Sequence, residues 1–344
     1  MPFMNAYQMP VVDDRAIWDL WLSQHHLPSI TVADEIGLFT ALEAGPRDTA
    51  ALAEACDVEA RALGIVLGLI AALGFIVRRE GDWNLTSVSR TYLLPDGNFY
   101  WGPLIMGGRD SDPLHAALLG MLRPGEKASP IEGRPVENWE SGQLGSEQAR
   151  SIARFMHAHS LPAAIGASRT GRFAGVTSLL DVGGGSGVFS IAAALAEPGL
   201  RATIMELPAM CEAARDYIAE ADVAGRVGTT PVDIFRKDWP TGHDALFFSN
   251  IYHDWNEATN RELSAKAFAA LPSGGRIFLH EQLMDDTLDG PVTTASFSVL
   301  MLRGTRGKQY SLGELTAILE SAGFKGVRAT HSCGYYSLVE AVKP

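Results

Sequence analysis

In the second half of the chain, short apolar runs alternate with segments of helical periodicity. The runs TSLLDV, RATIMEL, HDALFFSNI and GGRIFLHE are separated by helical patterns at Ser190 to Ala196, Ala209 to Ala221 and Asn256 to Leu271. Parallel strands need a crossover, usually a helix, so this alternation predicts a doubly wound α/β sheet. The last apolar stretches, FKGVRATHS and GYYSLVEAV, meet at a short turn around Gly334 and predict an antiparallel hairpin at the sheet edge.

The first half follows another pattern. Ile17, Trp18, Leu20, Trp21 and Leu22 fall at helical spacing with more aromatic surface than a terminal helix leaves wet, so a second subunit is expected to cover them. Between Thr49 and Leu94 the order is helix (Thr49 to Ala55), turn at Asp57, helix (Glu59 to Leu73), strand FIVRR, a GD turn and strand WNLT, a helix-turn-helix with a β-wing. The uncharged apolar run from Ala62 to Val77 falls short of the roughly 20 residues that span a bilayer; it predicts a core helix running into a strand. From Gly107 to Val136 the chain is rich in Gly and Pro and predicts a hinge interrupted by a short helix near Leu114 to Leu122. A helix from about Ser146 to Thr170 follows. Three parts are expected: an N-terminal module over 1–105, connecting helices over 106–171 that line the substrate, and the sheet domain over 172–344.

Charge narrows the range of partners. Of 344 residues, 28 are Lys or Arg and 40 are Asp or Glu, a formal net charge of −12. Such a surface repels phosphate backbones and anionic lipid. Between Ile30 and Tyr100, Arg47, Arg61, Arg78, Arg79 and Arg90 face twice as many acids. A module of that sign cannot release the counterions that drive DNA binding, so packing and dimerisation are its expected roles. Cys56, Cys211 and Cys333 have neither disulfide-framework nor zinc-ligand spacing. With no apolar segment near the start that looks like a signal peptide, a cytoplasmic protein is expected.

The candidate chemistry gathers at predicted strand ends. In LLDVGGGSGVF, Gly183, Gly185 and Gly187 stand directly after a strand and before a helix, where bare backbone lets a ligand approach closely. A dinucleotide fingerprint would need glycine where Val188 stands. Asp181 precedes the loop and suits a ligand bearing a cation. Glu206 ends the next strand roughly 20 residues on, the usual place for a carboxylate that accepts from ribose hydroxyls. Asp233, in TTPVDIF, ends the third strand and can accept from an adenine amino group. A cation, a ribose and an adenine without phosphate contacts describe S-adenosylmethionine.

LLDVGGGSG, the acid in IMELP, VDIF and YHDW resemble the landmarks of the class I methyltransferases, in particular the small-molecule O-methyltransferases of plant, hydroxyindole and bacterial tailoring type. The resemblance covers nearly the whole chain. It implies a Rossmann-like seven-stranded sheet ending in the hairpin, a winged-helix dimerisation module and an intertwined homodimer. It places cofactor contacts at Asp181, Gly183, Gly185, Glu206, Asp233, Ile234 and Ser249. His253 becomes the general base that takes the proton of a substrate hydroxyl, with Glu281 orienting it, and Met156 and Met301 clamp the acceptor. Asp254 has two open roles: a substrate contact, or with Glu257 a capping pair for a helix from Trp255 to Leu271. Gln309, in RGKQYS, stands where plant members carry a second glutamate, and Ser249 where many carry a lysine. The resemblance therefore leaves carbon or nitrogen open as the acceptor atom. A ligand-sensing winged-helix regulator is the reading from another class, and the acidic module argues against it. Val188 argues against a nicotinamide dehydrogenase.

Overall fold

The computed structural model describes residues 7–123, 139 and 141–344. They fall into two compact units. The first takes in the chain up to Arg15, Val136–Leu283 and Leu312–Pro344; the second takes in Ala16–Pro135 and Met284–Ser311.

In the first unit a seven-stranded sheet is built on strand β3 (Ser178–Val182). Numbering strands along the chain, β4 (Arg201–Glu206) and β5 (Val227–Pro231) extend it to one side, and β6 (Ala245–Ser249) and β7 (Arg276–Gln282) to the other, all parallel. The hairpin of β8 (Lys325–Cys333) and β9 (Tyr336–Val342) closes the order β5-β4-β3-β6-β7-β9-β8, with β9 antiparallel to β7. Chain order therefore reverses at β3, and the crevice beyond the carboxyl ends of β3, β4 and β6 is a topological switch point. Helices Val188–Ala196, Pro208–Glu220 and Glu257–Ala270 form the crossovers. The central strands read as unbroken apolar runs because both faces are covered: Leu179, Leu180, Leu246, Phe247 and Phe248 are each at most 1% exposed. β7 breaks that rule at its end. His280, Glu281 and Gln282 are buried at 0%, 2% and 0%, and buried polar groups at a strand's carboxyl end mark a site rather than a core.

The second unit packs helix Ala60–Ala72 against Leu38, Phe39, Leu42, Trp83 and Val299. The ribbon β1 (Ile76–Arg79) and β2 (Asp82–Leu85) follows that helix as the sequence predicts, with Trp83 tied to Arg47 by paired backbone bonds. Helix Val292–Gly304, from the far end of the chain, joins this unit. Its Phe297 meets Trp18 at 5.5 Å, so Trp18 is covered inside the unit and needs no second subunit to hide it. Ile17 and Leu20 remain 69% and 72% exposed. In the glycine- and proline-rich stretch, helix Pro113–Leu122 forms where a short helix is expected, capped by Asp112; Pro124, Gly125, Pro130, Gly133 and Pro135 lie outside the described residues. Helices Ser87–Tyr92 and Leu312–Ser321 are additions to the sequence reading. No helix among the described residues is long and apolar enough to cross a membrane.

Candidate active site

The turn after β3 is built from backbone that other residues resist. Gly183, Gly185 and Gly187 all have left-handed φ, at 68°, 56° and 77°. A Cβ at Gly183 would stand 2.6 Å from Ile251 Cδ1, and one at Gly187 would stand 2.4 Å from Ile204 Cδ1. At Gly185 it would meet nothing within 4 Å. Two glycines let the turn nest against β4 and the segment after β6, and the third leaves open space in the cleft.

Three carboxylates stand around that space. Asp181 is 1% exposed, and burial pushes it up to about 6 even though the Ser190 hydroxyl donates to Oδ2 at 2.7 Å. Burial pushes Glu206 up to about 7, against backbone N–H groups of Leu207 at 2.7 Å and Gly185 at 3.2 Å. Asp233 lies beyond the end of β5 rather than within it. Its partial burial opposes ionisation, but the amides of Phe235 and Arg236 and the Arg236 guanidinium together hold it below the usual carboxylate range.

The segment carrying Asp233 is pinned by a residue that the sequence reading missed. Lys266 Nζ donates to the carbonyls of Ile234, Phe235 and Lys237 at 2.6, 3.1 and 2.9 Å. Trp239 Nε1 donates to the same Ile234 carbonyl at 2.9 Å. Phe235 and Trp255, both in the cleft wall, meet edge to face at 4.6 Å. A long-range anchor of this kind leaves no local motif; a lysine in an otherwise ordinary amphipathic helix is the only trace.

His253 sits in a short 3₁₀ turn, Tyr252–Asp254, immediately beyond β6. Asn250, with φ 54°, turns the chain from the strand into it, a left-handed position that asparagine tolerates better than most residues. His253 Nδ1 is 3.2 Å from Glu281 Oε2, while Glu281 Oε1 accepts from the amides of Ile251 at 3.1 Å and Tyr252 at 3.0 Å. Burial pushes Glu281 up to about 8, with the Tyr252, Ile251 and His253 amides pulling the other way. Asp254 Oδ1 is 3.6 Å from His253 Nε2; burial, and then the neighbouring Glu281, hold its carboxyl well above the usual range.

The cleft brings together Asp181, Gly183, Gly185, Glu206, Asp233, Ile234 and Ser249, with Met156 and Asp254 in the same wall. His253 and Glu281 stand behind that wall, 4% and 2% exposed. Met301 lies half-buried on helix Val292–Gly304 of the second unit, and Gln309 is buried there with its amide donating to Ser298 Oγ. The capping role open to Asp254 is overturned. Asn256 caps the helix by accepting from the Thr259 amide at 3.0 Å, the helix starts at Glu257, and Glu257 pairs with Arg261 instead. The 3₁₀ turn holds Asp254 out of reach of the helix start.

The acids, the open space at Gly185 and the buried Asn250 Oδ1, without a hydrogen-bond partner among the described residues, fit a nucleoside that brings hydroxyl, amino and ammonium donors. Residues 133–325 match the model of the O-methyltransferase domain. The chain belongs to the O-methyltransferase family. A 3-hydroxy-5-methyl-1-naphthoate 3-O-methyltransferase of Streptomyces sahachiroi is 34% identical to this methyltransferase, over 94% of this chain and 92% of its own. An N,N-dimethyltransferase of Streptomyces rimosus is 27% identical over 97% and 98%. An O-methyltransferase family 2 protein from Planctomyces limnophilus, solved with apigenin, shares the fold with a TM-score of 0.87 at 24% identity, covering 98% of each chain. Human N-acetylserotonin methyltransferase, solved with S-adenosylmethionine, has a TM-score of 0.59 at 20% identity over 97% of this chain and 99% of its own. The methyltransferase therefore uses S-adenosylmethionine and acts on small metabolites.

Proposed function

We propose that the enzyme methylates a hydroxyl of an aromatic or enolic metabolite, with the cofactor lying across the tips of β5, β4, β3 and β6 and His253 acting as general base. The contact between His253 Nδ1 and Glu281 Oε2 carries this reading. When bound, S-adenosylmethionine supplies an electrophilic methyl group on a sulfonium. Asp233 and Ile234 hold the adenine end, Glu206 takes the ribose hydroxyls, and Asp181 offsets positive charge at the turn. A phenol with pKa about 10 is ionised in only about one molecule in a thousand at pH 7, a deficit of about 4 kcal/mol. His253 Nε2 lowers that cost by accepting the hydroxyl proton as the oxygen attacks, and Glu281 in its ionised form stabilises the imidazolium through Nδ1–H. Met156, at the cleft wall, contributes apolar surface to hold the acceptor ring.

Mass spectrometry of products from a panel of phenols and enols, with His253→Ala alongside, tests the reading; methylated phenols from the wild type alone are expected. The Streptomyces rimosus relative carries its methyl groups to nitrogen by name, and Gln309 stands where plant members carry a carboxylate. An N- or C-methylated product would therefore favour the second reading. The exposed apolar Ile17, Leu20 and Leu27, at 69%, 72% and 54%, support a homodimer through the N-terminal helices. Leu20→Asp is expected to yield monomers in sedimentation, and an unchanged dimer would place the interface elsewhere.

A further inference from the structure

β7 ends in a buried histidine with no part in the proton transfer argued above. His280 is fully buried, its ring stacked on Tyr336 at 4.9 Å and 2°. Its Nε2 lies 2.8 Å from Ser332 Oγ, and its Nδ1 lies 3.3 Å from Ser249 Oγ. Ser332 Oγ is also 3.0 Å from the Tyr336 carbonyl. A carbonyl only accepts, so the Ser332 hydroxyl proton goes to Tyr336, and the Ser332 oxygen must accept from His280 Nε2–H. That fixes the tautomer: Nδ1 carries no proton and is itself an acceptor. The Ser249 hydroxyl then points its proton at His280, either at Nδ1 or at the His280 carbonyl 3.4 Å away. Only lone pairs are left to face the cleft that Ser249 lines.

The neighbouring Asn250 agrees. Its Oδ1 is buried, has no hydrogen-bond partner among the described residues, and belongs to the same cleft wall. The tip of β6 thus offers two acceptors side by side. Along the sheet, the tips of β5 and β4 are assigned above to adenine and ribose, which leaves the methionyl end for β3 and β6. Its only hydrogen-bond donor is the ammonium; its carboxylate would meet lone pair against lone pair here.

We infer that His280 is a positioning residue: through Ser332 and the Tyr336 carbonyl it fixes Ser249 as a hydrogen-bond acceptor for the ammonium of the cofactor's methionyl group. The inference rests on the cofactor placement proposed above. Burial holds the His280 ring neutral, down to about 3, so the relay keeps its direction across the physiological range.

Calorimetry with two ligands tests it: S-adenosylhomocysteine, which carries the ammonium, and 5′-methylthioadenosine, which does not. Ser249→Ala is expected to weaken the first roughly tenfold, as for a hydrogen bond to a charged group, and to leave the second unchanged. Ser332→Ala frees His280 to take the other tautomer and turn the Ser249 proton into the cleft. It should raise KM for S-adenosylmethionine severalfold with kcat little altered, and cost nothing more when Ser249 is already alanine. Circular dichroism and melting confirm that both variants fold. Unchanged affinity in Ser249→Ala, equal loss for both ligands, or additive losses in the double variant would each overturn the inference. Failure of the wild type to bind either nucleoside would instead overturn the cofactor placement itself.

Discussion

Glu281 divides its carboxylate between backbone and imidazole: Oε1 accepts from the Ile251 and Tyr252 amides, and Oε2 stands 3.2 Å from His253 Nδ1. One carboxylate thus holds the 3₁₀ turn that carries the histidine and stands close against the ring itself. Replacing His253 by alanine removes the proposed proton acceptor but leaves the turn in place. Turnover of a phenolic acceptor should fall by roughly 10²- to 10⁴-fold, the usual worth of general base catalysis. Calorimetry should show S-adenosylhomocysteine binding at near-normal affinity. Comparable turnover would remove His253 from the chemistry.

Glu281→Gln separates the two duties. Glutamine can still accept from Ile251 and Tyr252 but cannot stabilise an imidazolium, so kcat should drop by a factor of ten or more while cofactor affinity holds. A variant that instead loses cofactor affinity would show that Glu281 acts by shaping the turn.

The glycine turn offers a comparison within three residues. Gly187→Ala combines left-handed φ with a Cβ 2.4 Å from Ile204 Cδ1, deep in the core, and should cost a few kcal/mol of stability. Gly185→Ala has the same backbone strain but open space around its Cβ, so it should cost about 1 kcal/mol and act chiefly on ligand affinity. Melting and calorimetry on both variants check the contrast, and equal destabilisation would count against a ligand-facing Gly185.

Much of this geometry was legible because local and global signals agreed. The runs ending at Val182, Glu206 and Ser249 are strands whose carboxyl ends meet at a switch point, and a doubly wound sheet leaves few other places for them. Of the two roles open to Asp254, the capping one fails because two overlapping caps, D-x-x-E and N-x-x-T, compete over the same few residues and Asn256 takes the helix start. Lys266 and the His280–Ser332 pair were not legible. Each acts on residues distant in sequence, and the partner strands β7, β9 and β8 find their register only in the folded sheet. Trp18 was expected to need another subunit; a helix from near the other end of the chain covers it.

Lys266 gives a prediction on that long-range anchoring. Its ammonium bridges three carbonyls of the segment behind Asp233, so Lys266→Met keeps the side-chain length but frees the segment. KM for S-adenosylmethionine should rise severalfold with kcat at saturation nearly unchanged. A fall in kcat with KM constant would mean that the segment serves the acceptor.

Stability should depend on pH in a way that the buried acids set. Burial raises the folded-state pKa of Asp181 to about 6, Glu206 to about 7 and Glu281 to about 8. The folded protein therefore holds protons that the unfolded chain has already released, and the stability linked to those protons is lost as pH rises through each folded value. Buried histidines act oppositely. His25 and His159 are lowered by burial to about 4 and His280 to about 3, so their contribution is lost as pH falls below 6.5. The two sets oppose one another on the acid side, whereas above pH 6.5 Glu206 and Glu281 carry the dependence, with the raised Asp254 acting in the same direction. The melting temperature of the cofactor-free enzyme should decline from pH 6.5 to 8, and Glu281→Gln should flatten most of that decline. Saturating S-adenosylhomocysteine should flatten part of it too, since ribose hydroxyls donated to Glu206 favour its ionised form. A decline that survives in Glu281→Gln, Glu206→Gln and Asp254→Asn alike would assign it to general repulsion in a chain of net charge −12 rather than to the site.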